Sequence, residues 1–140
     1  MSLAHIEWLL FSLITLFLWG LWGFFSKLAT IYLNPKSVYL YGSIGAFMVT
    51  LFSYLFLGFK LDFKPVGAFY SIIAGLLGGA GVIFFYFAMK TGKSVVVVTL
   101  TALYPLITLL FSYLLLKEQI TIQQLFGIFF ALIAIVLLST

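Results

Sequence analysis

The sequence has no cysteine and no arginine, one histidine (His5) and three acids, Glu7, Asp62 and Glu118. Without cysteine there is no disulfide, no thiolate nucleophile and no zinc–thiolate site. One histidine and three scattered acids cannot make a metal cluster or a general acid–base pair within one chain. No metal, cofactor or catalytic residue is therefore expected. Charge of either sign is scarce: 7% of the 140 residues, against about 25% in a soluble domain. Ten charged side chains cannot clothe a surface that meets water on every side, which excludes the soluble enzyme classes. The net charge of +4 and pI of 9.4 do not indicate a nucleic-acid partner either. The lysines lie singly or in pairs between apolar segments, as in membrane loops, and form no basic patch.

What fills the sequence is hydrocarbon: 65% of residues are hydrophobic and 20% aromatic, with a mean hydropathy of +1.30. Against a requirement of ~20 apolar residues per bilayer crossing, five spans are expected, at 7–33, 38–58, 66–89, 94–116 and 122–138. The breaks between them are short and polar: Asn34-Pro35-Lys36, Lys60 to Pro65, Lys90 to Lys93, and Lys117-Glu118-Gln119. Pro35 and Pro65 stop a helix or occupy the first turn of the next. Thr121 and Gln124 have the spacing of a capping box that opens the last helix. A single helix over 66–116 would be ~75 Å long, far more than a bilayer, so Lys90 and Lys93 mark an interface. The fold class predicted is all-α and polytopic, with one five-helix domain over 1–140.

Five spans place the termini on opposite sides of the membrane. Lys60, Lys64 and Lys117 then share one side, and Lys27, Lys36, Lys90 and Lys93 the other. Three against four is a weak orientation signal; it suits a chain that inserts both ways, and equally a chain whose short loops carry little information. Lys27 lies ~9 Å from the end of its span, within snorkelling reach of the interface; a place in a water-filled vestibule is the other reading. No basic residue precedes the first apolar run and no clear small-residue cleavage site follows it, so this segment is expected to stay as a span rather than be removed as a signal peptide.

Several features bear on function. Gly75 and Gly79 form a GxxxG pair that lets helix backbones approach closely in lipid, inside one subunit or between two. Trp19-Gly20 and Trp22-Gly23 could loosen the first helix beside two large rings, which either anchor it at the interface or line a pocket. In the fourth span Pro105 removes the backbone bond to Thr101, so a kink is expected there. Thr99, Thr101 and Tyr104 beside that kink suit a binding site near the midplane, although a purely structural kink explains the proline as well. No span has an acid near its centre, so no buried proton relay is evident. Glu7 fits the electropositive start of the first helix.

From Ala88 onward the sequence resembles the EamA domain of the drug/metabolite transporter superfamily. The resemblance rests on Pro105 within the fourth helix, Glu118 after it, Gln123-Gln124 at a polar helix start and then Gly127. Trp19-Gly20, Ser26-Lys27 and Asn34-Pro35 extend it to essentially the whole chain. Tyr39 and Tyr41 stand where many relatives show an arginine. The resemblance implies a half-transporter: such proteins typically have ten spans in two inverted halves, and small multidrug resistance proteins of the same superfamily solve the problem with antiparallel homodimers. The function expected is a membrane transporter of small organic metabolites or drugs, working by alternating access as a dimer with itself or with a related five-span chain, in the plasma membrane of a prokaryote. Trp19, Trp22, Tyr86, Thr99, Thr101 and Tyr104 are the expected substrate-lining residues, with Gly75, Gly79 and Pro105 allowing packing and movement. An aromatic cavity without buried charge favours apolar, aromatic or zwitterionic small molecules. The competing reading is a membrane partner subunit or scaffold that transports nothing; a hydrophobically gated channel would instead show flux without saturation.

Overall fold

A computed structural model of the protein describes residues 4–56, 58 and 63–139. Lys60 and Asp62, in the expected second loop, and the side chain of His5 lie outside the described residues. The chain divides into two compact units, Met1–Thr91 and Gly92–Thr140.

The first unit is three helices: α1 (Ala4–Tyr32), α2 (Pro35–Phe56) and α3 (Pro65–Thr91). Gly20 and Gly23 do not loosen α1, which runs unbroken for 29 residues. In hydrocarbon a backbone group released from the helix has no water to turn to, so the helix keeps its bonds. The turn into α2 is built locally: the Ser37 backbone N–H donates to Asn34 Oδ1 at 2.9 Å, and Pro35 takes the first helical position, where no N–H is needed. Gly58, with φ of +64°, supplies the left-handed residue just beyond α2. Helix α3 packs against both α1 and α2, and Val38, Tyr86 and Met89 are buried. Most other apolar side chains are exposed, as expected of helices whose surroundings are lipid.

Two lysines tie the ends of α1 and α3 together. Lys27 Nζ donates to the Met89 carbonyl at 2.7 Å. In return Lys90 Nζ donates to the carbonyls of Thr30 at 2.6 Å and Leu33 at 3.3 Å. Each lysine therefore caps the electronegative C-terminal end of the other's helix, whose last carbonyls lack intrahelical donors. Lys27 reaches a neighbouring helix, an arrangement neither sequence reading contained.

Helical hydroxyls fold back on their own backbone. Ser12 donates to Trp8 O at 2.7 Å, Thr15 to Phe11 O at 2.8 Å, Ser43 to Tyr39 O at 2.9 Å and Ser53 to Val49 O at 2.8 Å. This i−4 bond is the usual way a hydroxyl is satisfied inside a membrane helix.

The second unit holds α4 (Ser94–Thr101), α5 (Tyr104–Phe111), a π-helical turn (Ser112–Leu116) and α6 (Ile122–Ser139), with α4 packed on α6. The fourth expected span is thus segmented. Pro105 has no N–H to offer the Thr101 carbonyl, and the helix breaks at Ala102 and Leu103; Leu103 N–H donates instead to Leu100 O at 3.1 Å. The π turn closes on Lys117, a non-glycine residue in the left-handed region (φ +55°, ψ +32°), and Glu118 N–H donates back to Ser112 O at 3.3 Å. The Lys117 N–H donates to the same Ser112 carbonyl, so the wide π turn and its left-handed last residue satisfy one carbonyl from two successive donors. The capping box forms in both directions: Thr121 N–H donates to Gln124 Oε1 at 2.8 Å, and Gln124 N–H to Thr121 Oγ1 at 3.3 Å.

Residues 7–32, 35–56, 65–91 and 94–116 are each long and apolar enough to cross a membrane, and 122–137 is a shorter apolar helix. With 18 residues, α6 is ~27 Å long, close to the ~30 Å hydrocarbon thickness. The protein is an all-α polytopic integral membrane protein.

Candidate functional site

A cleft of about 410 Å³ opens among the three helices of the first unit, lined by Trp22 and Ser26 of α1, Tyr41, Gly42 and Gly45 of α2, and Tyr86 of α3. On α1 the lining residues Trp22, Ser26, Ala29 and Leu33 recur at helical spacing. On α2 Val38, Tyr41, Gly42, Gly45, Ala46 and Val49 do the same, so one face of each helix points at the same space. Glycine makes the room: a Cβ at Gly45 would meet nothing within 4 Å. Gly42 serves another purpose, since a Cβ there would come within 3.1 Å of Tyr86 Oη. The contact is reciprocated, because a Cβ on Gly79 of α3 would lie 3.1 Å from Tyr39 Oη of α2. Each of these two helices thus lays a tyrosine hydroxyl over a glycine of the other.

The walls are aromatic. Trp22 stacks on Phe85 with ring centroids 5.0 Å apart and planes 20° from parallel, and Tyr86 lies 6.3 Å from Trp22 at 45°. These offset and tilted pairs are the favoured geometries for quadrupolar rings. No charged side chain lines this cleft among the described residues.

The second unit has its own cleft, of about 580 Å³, between the broken α5 segment and α6. Tyr104, Pro105, Ser112, Glu118, Gln124 and Gly127 line it. It is the more polar of the two, and Glu118 gives it a carboxylate on its rim, exposed to the surroundings. The break before Pro105 and the π turn beyond it leave several backbone groups outside regular helix, which hydrocarbon tolerates only beside protein or a cavity.

The expected site residues distribute unevenly. Trp22 and Tyr86 meet in the first cleft; Tyr104 and Pro105 line the second. Trp19 is 59% exposed and lines neither. The hydroxyls of Thr99 and Thr101 are engaged by their own helix, Thr99 with Val95 O at 2.7 Å and Val96 O at 3.0 Å, Thr101 with Val97 O at 2.9 Å and Val98 O at 3.0 Å. Gly79 packs under Tyr39, whereas a Cβ on Gly75 would meet open space. Sequence reasoning missed Ser26, Tyr41, Gly42 and Gly45. The helical recurrence of small residues along α2 was the available signal.

The sequence matches the EamA-like transporter family over residues 6–140. The chain belongs to that family. An EamA-like chain of this kind is built around apolar membrane-spanning helices, which is the architecture described above. Among curated proteins it is similar to an uncharacterized protein of Methanocaldococcus jannaschii, 41% identical over 70 residues. The aligned stretch covers 50% of this chain and 51% of that relative, so the two are of nearly equal length and the match spans about half of each. No solved structure matches.

Proposed function

We propose that this EamA-like chain carries small organic solutes across the bilayer by alternating access, as a dimer of five-helix chains in antiparallel arrangement, in the plasma membrane of a prokaryote. The observation that carries the reading is the family match over residues 6–140. A pathway that opens alternately to the two sides needs a second, inverted set of helices, and the three-to-four division of lysines between the sides permits insertion both ways. A partner of the same length and kind, with the opposite orientation, serves the same purpose. The solutes it favours are apolar, aromatic or zwitterionic, because Trp22, Tyr86 and Tyr104, the residues assigned to binding that line the two clefts, offer rings and phenolic hydroxyls without charge. The break before Pro105 gives the second unit a place to bend. Of the Gly75 and Gly79 pair, Gly79 is covered by Tyr39 of the same chain, and Gly75, where a Cβ would meet open space, offers the close approach to the other chain.

The test is topology first. With no native cysteine, single cysteines introduced at Ser2 and Thr140 are labelled in intact cells with a membrane-impermeant maleimide. Labelling of each site in about half the molecules is expected. Labelling of one site alone removes the antiparallel homodimer and leaves an oppositely oriented partner or a subunit role. Saturable solute flux in proteoliposomes, reduced by a Tyr104→Phe, Thr101→Val pair, is expected of the transporter; flux unchanged in that variant removes those two residues from the pathway. Gly75→Leu adds bulk where the chain's own fold has space, so lost cross-linking between chains is the expected result if Gly75 lies at the interface.

A further inference from the structure

Two polar side chains of the first cleft stand apart from the pattern of the other helical hydroxyls. Ser26 is 6% and Tyr86 4% exposed, and both line the cleft. Among the described residues neither hydroxyl has a hydrogen-bond partner within the protein. Ser26 sits mid-helix, where Ser12, Thr15, Ser43 and Ser53 all donate to the carbonyl four residues back, yet it makes no such bond to Trp22. No buried side-chain oxygen or nitrogen among the described residues lacks a partner, so both hydroxyls open onto the cleft itself, where the polar group of a guest molecule can reach them.

We infer that the cleft among α1, α2 and α3 binds an uncharged, planar aromatic solute with a hydrogen-bonding group, its ring against Trp22 and its polar group satisfied by Ser26 and Tyr86. This rests on the transport reading above for its meaning as a solute site. The volume of about 410 Å³ suits a molecule of one or two rings. Net charge is selected against on both sides. A cation finds no carboxylate in the lining, and the ammonium groups of Lys27 and Lys90 are bound at the same end of α1 and α3. An anion meets the electronegative faces of Trp22 and Tyr41. Those faces attract a cation, so the discrimination against a cation rests on the two ammonium groups and the lack of a carboxylate in the lining. A lipid acyl chain would fill the volume and leave both hydroxyls unmatched.

Equilibrium dialysis of the purified chain in nanodiscs, with empty nanodiscs subtracted, tests this with three probes of one shape: 4-nitrobenzamide, 4-nitrotoluene and (4-nitrobenzyl)trimethylammonium. Saturable binding of the amide is expected, weakened about five- to tenfold by Ser26→Ala and by Tyr86→Phe, as one lost hydrogen bond implies. Gly45→Val, which adds bulk where the backbone has open space, should abolish it while helicity is unchanged. Equal or tighter binding of the toluene or the ammonium compound, no saturable binding, or indifference to both hydroxyl variants overturns the assignment. The same probe followed in proteoliposomes separates the two readings. Binding without flux refutes transport and leaves the site standing; amide flux that survives Gly45→Val refutes the site and leaves transport standing.

Discussion

The paired lysines of α1 and α3 lend themselves to a quantitative test. Lys27→Met and Lys90→Met keep most of each aliphatic stem and remove the ammonium. A hydrogen bond to a charged group contributes about 1.5–3 kcal/mol, and a cation at a helix C-terminus about 0.3–1 kcal/mol. Lys90 is exposed, so water replaces much of what its loss removes, and about 1 kcal/mol is expected for Lys90→Met. Lys27 is half-buried and its acceptor belongs to Met89, which is fully buried. Deleting it withdraws a donor from a terminal carbonyl that water cannot readily reach, so Lys27→Met should cost about 2 kcal/mol. Both bonds need the same two helix ends held together, so the double variant should lose less than the sum, with a coupling of about 0.5 kcal/mol or more. Reversible unfolding in mixed micelles, followed by circular dichroism and tryptophan emission, gives these differences. Lys36→Met is the control: Lys36 is exposed in the first turn of α2, where a cation opposes the helix dipole, and its loss should be neutral or slightly stabilising. If Lys27→Met is indistinguishable from Lys36→Met, the reciprocal capping adds nothing to stability and the reasoning fails.

Other outcomes follow from local geometry. Gly42→Ala brings a Cβ within 3.1 Å of Tyr86 Oη and should cost up to about 1 kcal/mol by displacing the ring, most of it recovered in Gly42→Ala, Tyr86→Phe; the same unfolding assay reads both. Lys117→Gly relieves a left-handed residue and should stabilise by about 1 kcal/mol, with no gain if the Lys117 side chain holds the turn by some other contact. Thr121→Ala removes the side-chain half of the capping box and should cost about 1 kcal/mol, seen as faster amide exchange in the first turn of α6. Pro105→Ala returns an N–H to Thr101 and should lengthen the helix through residue 103; spin-label distances spanning 98 to 110 should become those of one continuous helix.

What was legible in the sequence was what depends on neighbours along the chain. Apolar run length gave the helices, Asn34-Pro35 and Pro65 gave their starts, and Thr121 with Gln124 gave the cap, because each is a contest among residues a few positions apart. Pro105 foretold the interruption, which falls at Ala102 and Leu103, between the proline and the Thr101 carbonyl that loses its donor. The lysine exchange was not legible: Lys27 and Met89 are 62 positions apart and Lys90 and Thr30 are 60, and only packing decides that these helix ends adjoin. The left-handed Lys117 was hidden for a different reason, since sequence preference assigns that conformation to glycine or asparagine. As for the cleft, Trp22 was noticed because it is large, whereas Ser26 looks like any membrane serine until its missing backbone bond is seen.

That bond has a consequence for how the chain tolerates sequence drift. A serine or threonine already closed on its own helix presents little more than a methyl-sized bump to the surrounding lipid. Positions 12, 15, 43, 50 and 53, whose hydroxyls are all closed in this way, should therefore exchange freely with alanine or valine among descendants of this gene. Position 26 should not. Two hydroxyls counted alike on any hydropathy scale are thus under different constraint, and a set of diverged sequences would separate them by substitution pattern alone.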